Sequence, residues 1–158
     1  MKTLIVYYSR TGNTRRLAVA LAEVLDADVT EIECDRYRPG PLRYLRAGYD
    51  SVKGNLPPID IPEPNYPDYD LVLLGSPIWT SYPALPLRAF LAGRPDLPAK
   101  TGLFLTFGGH SPPEKAVALV NDALPQPVAA VLALQENAMD KESVTEQITG
   151  FVEKLAKS

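Results

Sequence analysis

The chain has one cysteine, Cys34, and one histidine, His110. A single thiol can form neither an intrachain disulfide nor a thiolate metal cluster, and the two residues together leave too little for the usual metal and hydrolase sites. No G-x-x-x-x-G-K-[ST] run is present, which excludes a P-loop nucleotidase. A receiver domain needs aspartate clusters at its strand ends, and Tyr8-Ser9-Arg10 and Ser76-Pro77 stand in those places. Charge of one sign is scarce as well. Lys and Arg number 16 against 19 Asp and Glu, and the resulting −3 does not suggest nucleic acid as a partner. No apolar run approaches the roughly 20 residues that span a bilayer, so no membrane partner is expected. The N-terminus runs straight into a strand pattern with no signal peptide ahead of it, and the expected location is the cytoplasm.

What is present is an ordinary globular composition. Its 158 residues, 46% of them hydrophobic, suit one domain over 1–158 with a substantial core. Strand and helix signals alternate along the whole chain, which predicts an α/β three-layer sandwich, a parallel sheet with helices on both faces. The strands are expected at Thr3–Tyr8, around Val29–Ile32, at Tyr69–Gly75, Thr101–Phe107 and Val128–Leu134. Helices are expected from Asn13 to about Asp26, from Pro41 to Lys53, after Pro83, over Pro113–Leu124 and over Asp140–Lys157. Cys34 reads as a small apolar residue near a strand end.

From Cys34 to Asp68 the texture changes, with prolines at 39, 41, 57, 58, 62, 64 and 67. Within it Leu42, Leu45, Tyr49 and Val52 fall on one face of the helix that Pro41 opens. Between Asp35 and Lys53 five cations stand against two anions. That segment has two readings: a solvated face whose arginine stems cover tyrosines, or a basic docking patch.

In an open parallel sheet, ligands bind beyond the carboxyl ends of the strands, and three loops meet there. The first is Ser9-Arg10-Thr11-Gly12-Asn13-Thr14, a hydroxyl-rich turn between a strand and a helix. Unpaired N–H groups and the positive helix end suit a phosphate, the hydroxyls add donors, and Gly12 lets the backbone approach closely. Arg10 either adds a charge-assisted contact or lies in solvent. The second, Ser76 to Tyr82, holds the chain's only tryptophan. An indole on an exposed loop is costly unless it covers something, and Trp79 is read as such a cover with Pro77, Ile78 and Thr80 beside it. The third is Thr106-Phe107-Gly108-Gly109-His110, whose glycines leave backbone N–H groups unhindered.

These stretches resemble the flavodoxin family. The likeness is carried by Ile5 to Leu21, by Gly75-Ser76-Pro77-Ile78-Trp79, by Pro83-x-x-Pro86 with Phe90-Leu91, and by Thr106-Phe107-Gly108-Gly109. It implies a strand order of 2-1-3-4-5 and, with no long insertion in the fifth strand, a short-chain form. It also implies FMN as cofactor, its phosphate in the first loop, its isoalloxazine ring against Trp79 and its pyrimidine edge on the third loop. The implied activity is electron transfer between redox partner proteins, a reductase and an acceptor. The alternative is a small FMN-dependent NAD(P)H:quinone-type oxidoreductase. Two departures stand out. Classical members follow the stacking tryptophan with a glycine whose peptide turns toward the reduced ring, whereas Thr80 is β-branched and is expected to resist positive φ. Their third loop supplies a stacking tyrosine, whereas this chain has Phe107 and His110. His110 is read either as an exposed turn residue or as a cation near the reduced ring.

Overall fold

Strands β1 (Thr3–Tyr7) and β3 (Leu71–Trp79) form the spine of the sheet, because both are apolar enough to be covered on two faces. The computed structural model describes residues 1–109, 111–139 and 141–158, with the backbone alone at Lys141. The remaining strands are β2 (Asp28–Glu31), β4 (Tyr82–Pro83), β5 (Thr101–Phe107) and β6 (Val131–Gln135). Five of them pair in parallel in the order β2-β1-β3-β5-β6, which is the expected order. The unexpected one is β4, a two-residue strand antiparallel to the end of β3.

Helices α1 (Asn13–Leu25) and α5 (Lys141–Lys157) cover one face, where Leu17, Leu21, Ile148, Phe151 and Leu155 pack on Ile5, Leu73 and Phe104. On the other face α3 (Leu85–Ala92) and α4 (Glu114–Ala123) bring Leu87, Phe90, Ala116 and Val120 against Val6, Leu74 and Leu105. Asp140, the expected first residue of the last helix, lies outside the described residues. Among the described residues no helix is long and apolar enough to cross a membrane.

Helix α2 (Pro41–Lys53) has the expected bounds and the opposite orientation to the one a hydrophobic stripe would dictate. Ala47, Asp50 and Ser51 face inward, while Leu42, Leu45, Tyr49 and Val52 are exposed. Behind it the proline-rich segment is tied to the end of β2 by paired backbone bonds between Glu33 and Asp60 (2.8 and 2.9 Å). Cys34 is buried there as expected, its thiol against the Pro58 carbonyl (3.6 Å), and burial pushes its pKa up.

Beyond Gly75 the structure departs from expectation. Ser76 to Trp79 continue β3, because Trp79 and Ile78 find antiparallel partners in Tyr82 and Pro83. Gly75 itself lies directly opposite Phe104 in the register, and a Cβ there would collide with the Phe104 ring. Gly75→Ala should therefore destabilise the fold by about 1–3 kcal/mol, read from the urea midpoint. Phe104→Leu in the same chain should recover part of the loss.

Candidate functional site

The turn after β1 is built by glycine and a hydroxyl. Gly12 has φ 102°, a left-handed conformation that other residues adopt at a cost, and a Cβ there would meet nothing within 4 Å. Its N–H donates to Ser9 Oγ (3.1 Å). The first helical bond of α1 runs from the Arg16 N–H to the Gly12 carbonyl (3.0 Å), so the N–H groups of Asn13, Thr14 and Arg15 have no partner within the helix. No acidic residue sits in the first turn to offset the positive helix end. The Thr14 hydroxyl is buried against that of Thr106 (2.8 Å), which fixes α1 to the end of β5.

Arg10 does not simply lie in solvent. Its guanidinium lies over the Tyr44 ring (5.2 Å to the centroid) and donates from Nη2 to the Gly40 carbonyl (3.5 Å). Its Nε is buried without a hydrogen-bond partner. The side chain thus lines a cavity and leans on α2.

The second wall is the β3–β4 hairpin. Trp79 is half-buried, with the rings of Tyr8 and Tyr37 meeting it edge-on at 5.6 and 5.3 Å. The indole thus serves the core and the cavity wall at once. The turn beyond it corrects the expectation for Thr80. Thr80 has φ 50° and Ser81 φ 75°, two left-handed residues in a two-residue hairpin that normally asks for Asn-Gly. Each left-handed residue costs roughly 1–2 kcal/mol. Buried Ser51 on α2 holds the turn, since its hydroxyl donates to the Trp79 carbonyl (3.2 Å) and lies 2.6 Å from Thr80 Oγ1. With its own proton spent, Ser51 accepts from Thr80.

One buried carboxylate sets the position of α2. Asp50, 3% exposed, accepts from Tyr37 Oη (2.8 Å), Asn55 Nδ2 (3.2 Å) and Arg46 Nε (3.4 Å), with Arg36 4.0 Å away. Burial alone would raise its pKa, but the hydrogen bonds from Tyr37, Asn55 and Arg46 outweigh burial and hold it below the usual value. Tyr37 is pushed up to about 12 by burial and by the bond to Asp50.

These pieces enclose a cavity of about 440 Å³. Of the expected residues it brings together Arg10, Thr11 and Thr14 from the first loop, Pro77, Ile78, Trp79 and Thr80 from the second, and Gly108 from the third. Ser9, Gly12, Asn13, Thr106, Phe107 and Gly109 are not among the lining residues, although Ser9 bonds Gly12 within the first loop and Thr106 bonds the lining residue Thr14. His110 lies outside the described residues. Sequence reasoning missed Tyr44, Ala47 and Gly48 of α2, together with Ser111 and Glu136. Gly48 was the available signal, because a glycine inside a helix costs about 1 kcal/mol relative to alanine. A Cβ on it would meet nothing of its own chain within 4 Å, so packing within the chain does not require the glycine.

The Asp50 network gives a pH signature. A carboxyl depressed in the folded state contributes stability in full above its unfolded pKa of 3.8, and the contribution is lost as pH falls toward the folded value. Asp50→Asn should cost about 1–3 kcal/mol at pH 7. Urea midpoints of wild type and variant should converge as the pH is taken below about 4.

No protein-family model matches the chain, and no curated protein matches it. Solved structures do. A flavoprotein from Lactobacillus acidophilus, crystallised in complex with FMN, is 28% identical over 90% of this chain and 98% of its own, with a TM-score of 0.71. A candidate flavoprotein from Bacteroides uniformis is 23% identical over 94% and 97%, with a TM-score of 0.78. Flavodoxin 2 from Bacillus cereus is 19% identical over 99% of both chains, with a TM-score of 0.63. The strand order, the strand-end cavity and these likenesses together show that the chain has the flavodoxin-like fold.

Proposed function

We propose that the chain binds FMN in this cavity and carries electrons between two redox proteins, a reductase and an acceptor. The observation behind the reading is that an uncompensated helix start lined by hydroxyls and an indole wall open into one cavity. The residues present fit the cofactor. Thr11, Thr14 and the N–H groups at the start of α1 would hold a phosphate monoester, with Arg10, whose Nε is buried and unpartnered, bordering it. Trp79 would flank the flat ring, and bare Gly48 would let its edge come close. The Lactobacillus acidophilus flavoprotein in complex with FMN supports the assignment.

Bound FMN supplies one- and two-electron chemistry, and the chain sets its affinity and potential. Glu136 stands at the cavity with Oε2 3.6 Å from where a Cβ on Gly108 would lie. Its carboxylate would oppose a gain of negative charge in the cavity and so would lower the potential of a bound flavin. The Thr80–Ser81 turn, already left-handed and held by Ser51, presents its peptide groups in a fixed orientation.

Titration of the apoprotein tests the phosphate assignment. FMN should bind much more tightly than riboflavin, and equal affinities would sink the assignment. Thr14→Val should weaken FMN roughly ten- to a hundredfold, the worth of one hydrogen bond to a charged group, and leave riboflavin nearly unchanged.

The carrier reading has its own check, the pyridine absorbance of NADPH or NADH mixed with the holoprotein under air. A carrier that needs a reductase should turn over slowly with either nucleotide. Rapid, saturable reduction would instead make the chain an NAD(P)H:quinone-type oxidoreductase.

A further inference from the structure

Helix α2 turns its apolar face to water. Leu42, Leu45, Tyr49 and Val52 are 81%, 67%, 62% and 73% exposed, while the helix buries a carboxylate and a hydroxyl. Their spacing of three, four and three residues is the a-d-a-d seam of a coiled coil, laid along one side of a 13-residue helix. Monomeric proteins rarely keep a contiguous apolar patch of this kind uncovered.

We infer that this seam is the interface of a homodimer, formed by antiparallel packing of α2 on the α2 of a second copy. The seam is self-complementary in that arrangement. A two-fold axis at the level of Ala47 sets Leu42 against Val52 of the second copy and Leu45 against its Tyr49. Burying these side chains on both copies removes roughly 1,000 Å² from water, the lower limit of a specific interface.

The cations around the seam are mostly committed within their own chain, which leaves little to draw an acidic protein or an anionic membrane. Arg46 and Arg36 meet Asp50 (3.4 and 4.0 Å), Arg38 meets Asp35 (2.6 Å), and Arg43 donates to the Asp35 carbonyl (3.2 Å). On α2 itself, Lys53 is the cation with no ion pair or hydrogen bond among the described residues. In an antiparallel pair like flank meets like flank. Arg46 and Lys53 of both copies share one side, and the Gly48 flanks, with their cavities, share the other. Self-association should therefore tighten as salt screens the cationic side, whereas attraction to an anionic partner would weaken. The inference stands whether or not the cavity holds FMN.

Sedimentation velocity of the full chain, from about 1 to about 500 µM, tests it. The expected result is a monomer–dimer equilibrium that strengthens with added salt. Leu45→Lys with Tyr49→Lys should remain monomeric throughout, with an unchanged far-ultraviolet spectrum and melting temperature. A wild type that stays monomeric, or a double variant that dimerises undiminished, would overturn the proposal. So would a monomeric wild type that co-sediments with phosphatidylserine vesicles. Cysteines introduced singly, Leu45→Cys and Tyr49→Cys, report the direction of packing. The mixed pair should cross-link faster than either variant alone, and the reverse order would reject the antiparallel arrangement.

Discussion

A carboxylate cannot stay charged away from water without donors around it, and Asp50 has drawn the middle of this molecule into place by that requirement. Tyr37, Arg36, Arg46 and Asn55 converge on it from three stretches of chain. Once Asp50 points inward, the rotation of α2 is fixed. Ser51, one residue on, then reaches the hairpin turn, Ala47 and Gly48 border the cavity, and the leucines on the opposite side are left outside. One buried charge thus determines which face of the helix the rest of the chain meets.

The hairpin shows how strain is kept where it is useful. Two non-glycine residues in left-handed conformations would relax if they stood alone. They persist because Trp79 is locked between two tyrosine rings on one side of the turn and Ser51 grips Thr80 on the other. A glycine there would adopt the same turn without strain and would also move more freely. The Thr-Ser pair gives up that freedom for a turn whose orientation is set by its neighbours.

Much of this was legible from pattern. The continuous apolar run of Leu4 to Tyr8, the alternation of strand and helix signals and the three strand-end loops placed the sheet and three walls of the cavity, while the strand order came from the resemblance to the flavodoxin family. Three features were hidden because they depend on contacts that residue preference and hydrophobic periodicity do not encode. β4 depends on Trp79 and Tyr82 pairing across a turn that residue preference argues against. The rotation of α2 runs against its hydrophobic pattern, since a polar network outweighed the stripe of Leu42, Leu45, Tyr49 and Val52. Glu136 follows the last strand and reaches the cavity only because β6 lies beside β5, a neighbour relation that local periodicity does not carry.

Trp79 has a further consequence, an optical one. The chain holds eight tyrosines and a single indole, and that indole stands in the wall of the cavity with one tyrosine ring at each of two edges. Tryptophan emission from this protein therefore comes from one address. Changes in its colour, intensity or lifetime report the polarity and occupancy of that wall with no background from elsewhere in the chain. The residue that closes the cavity is also its built-in fluorophore.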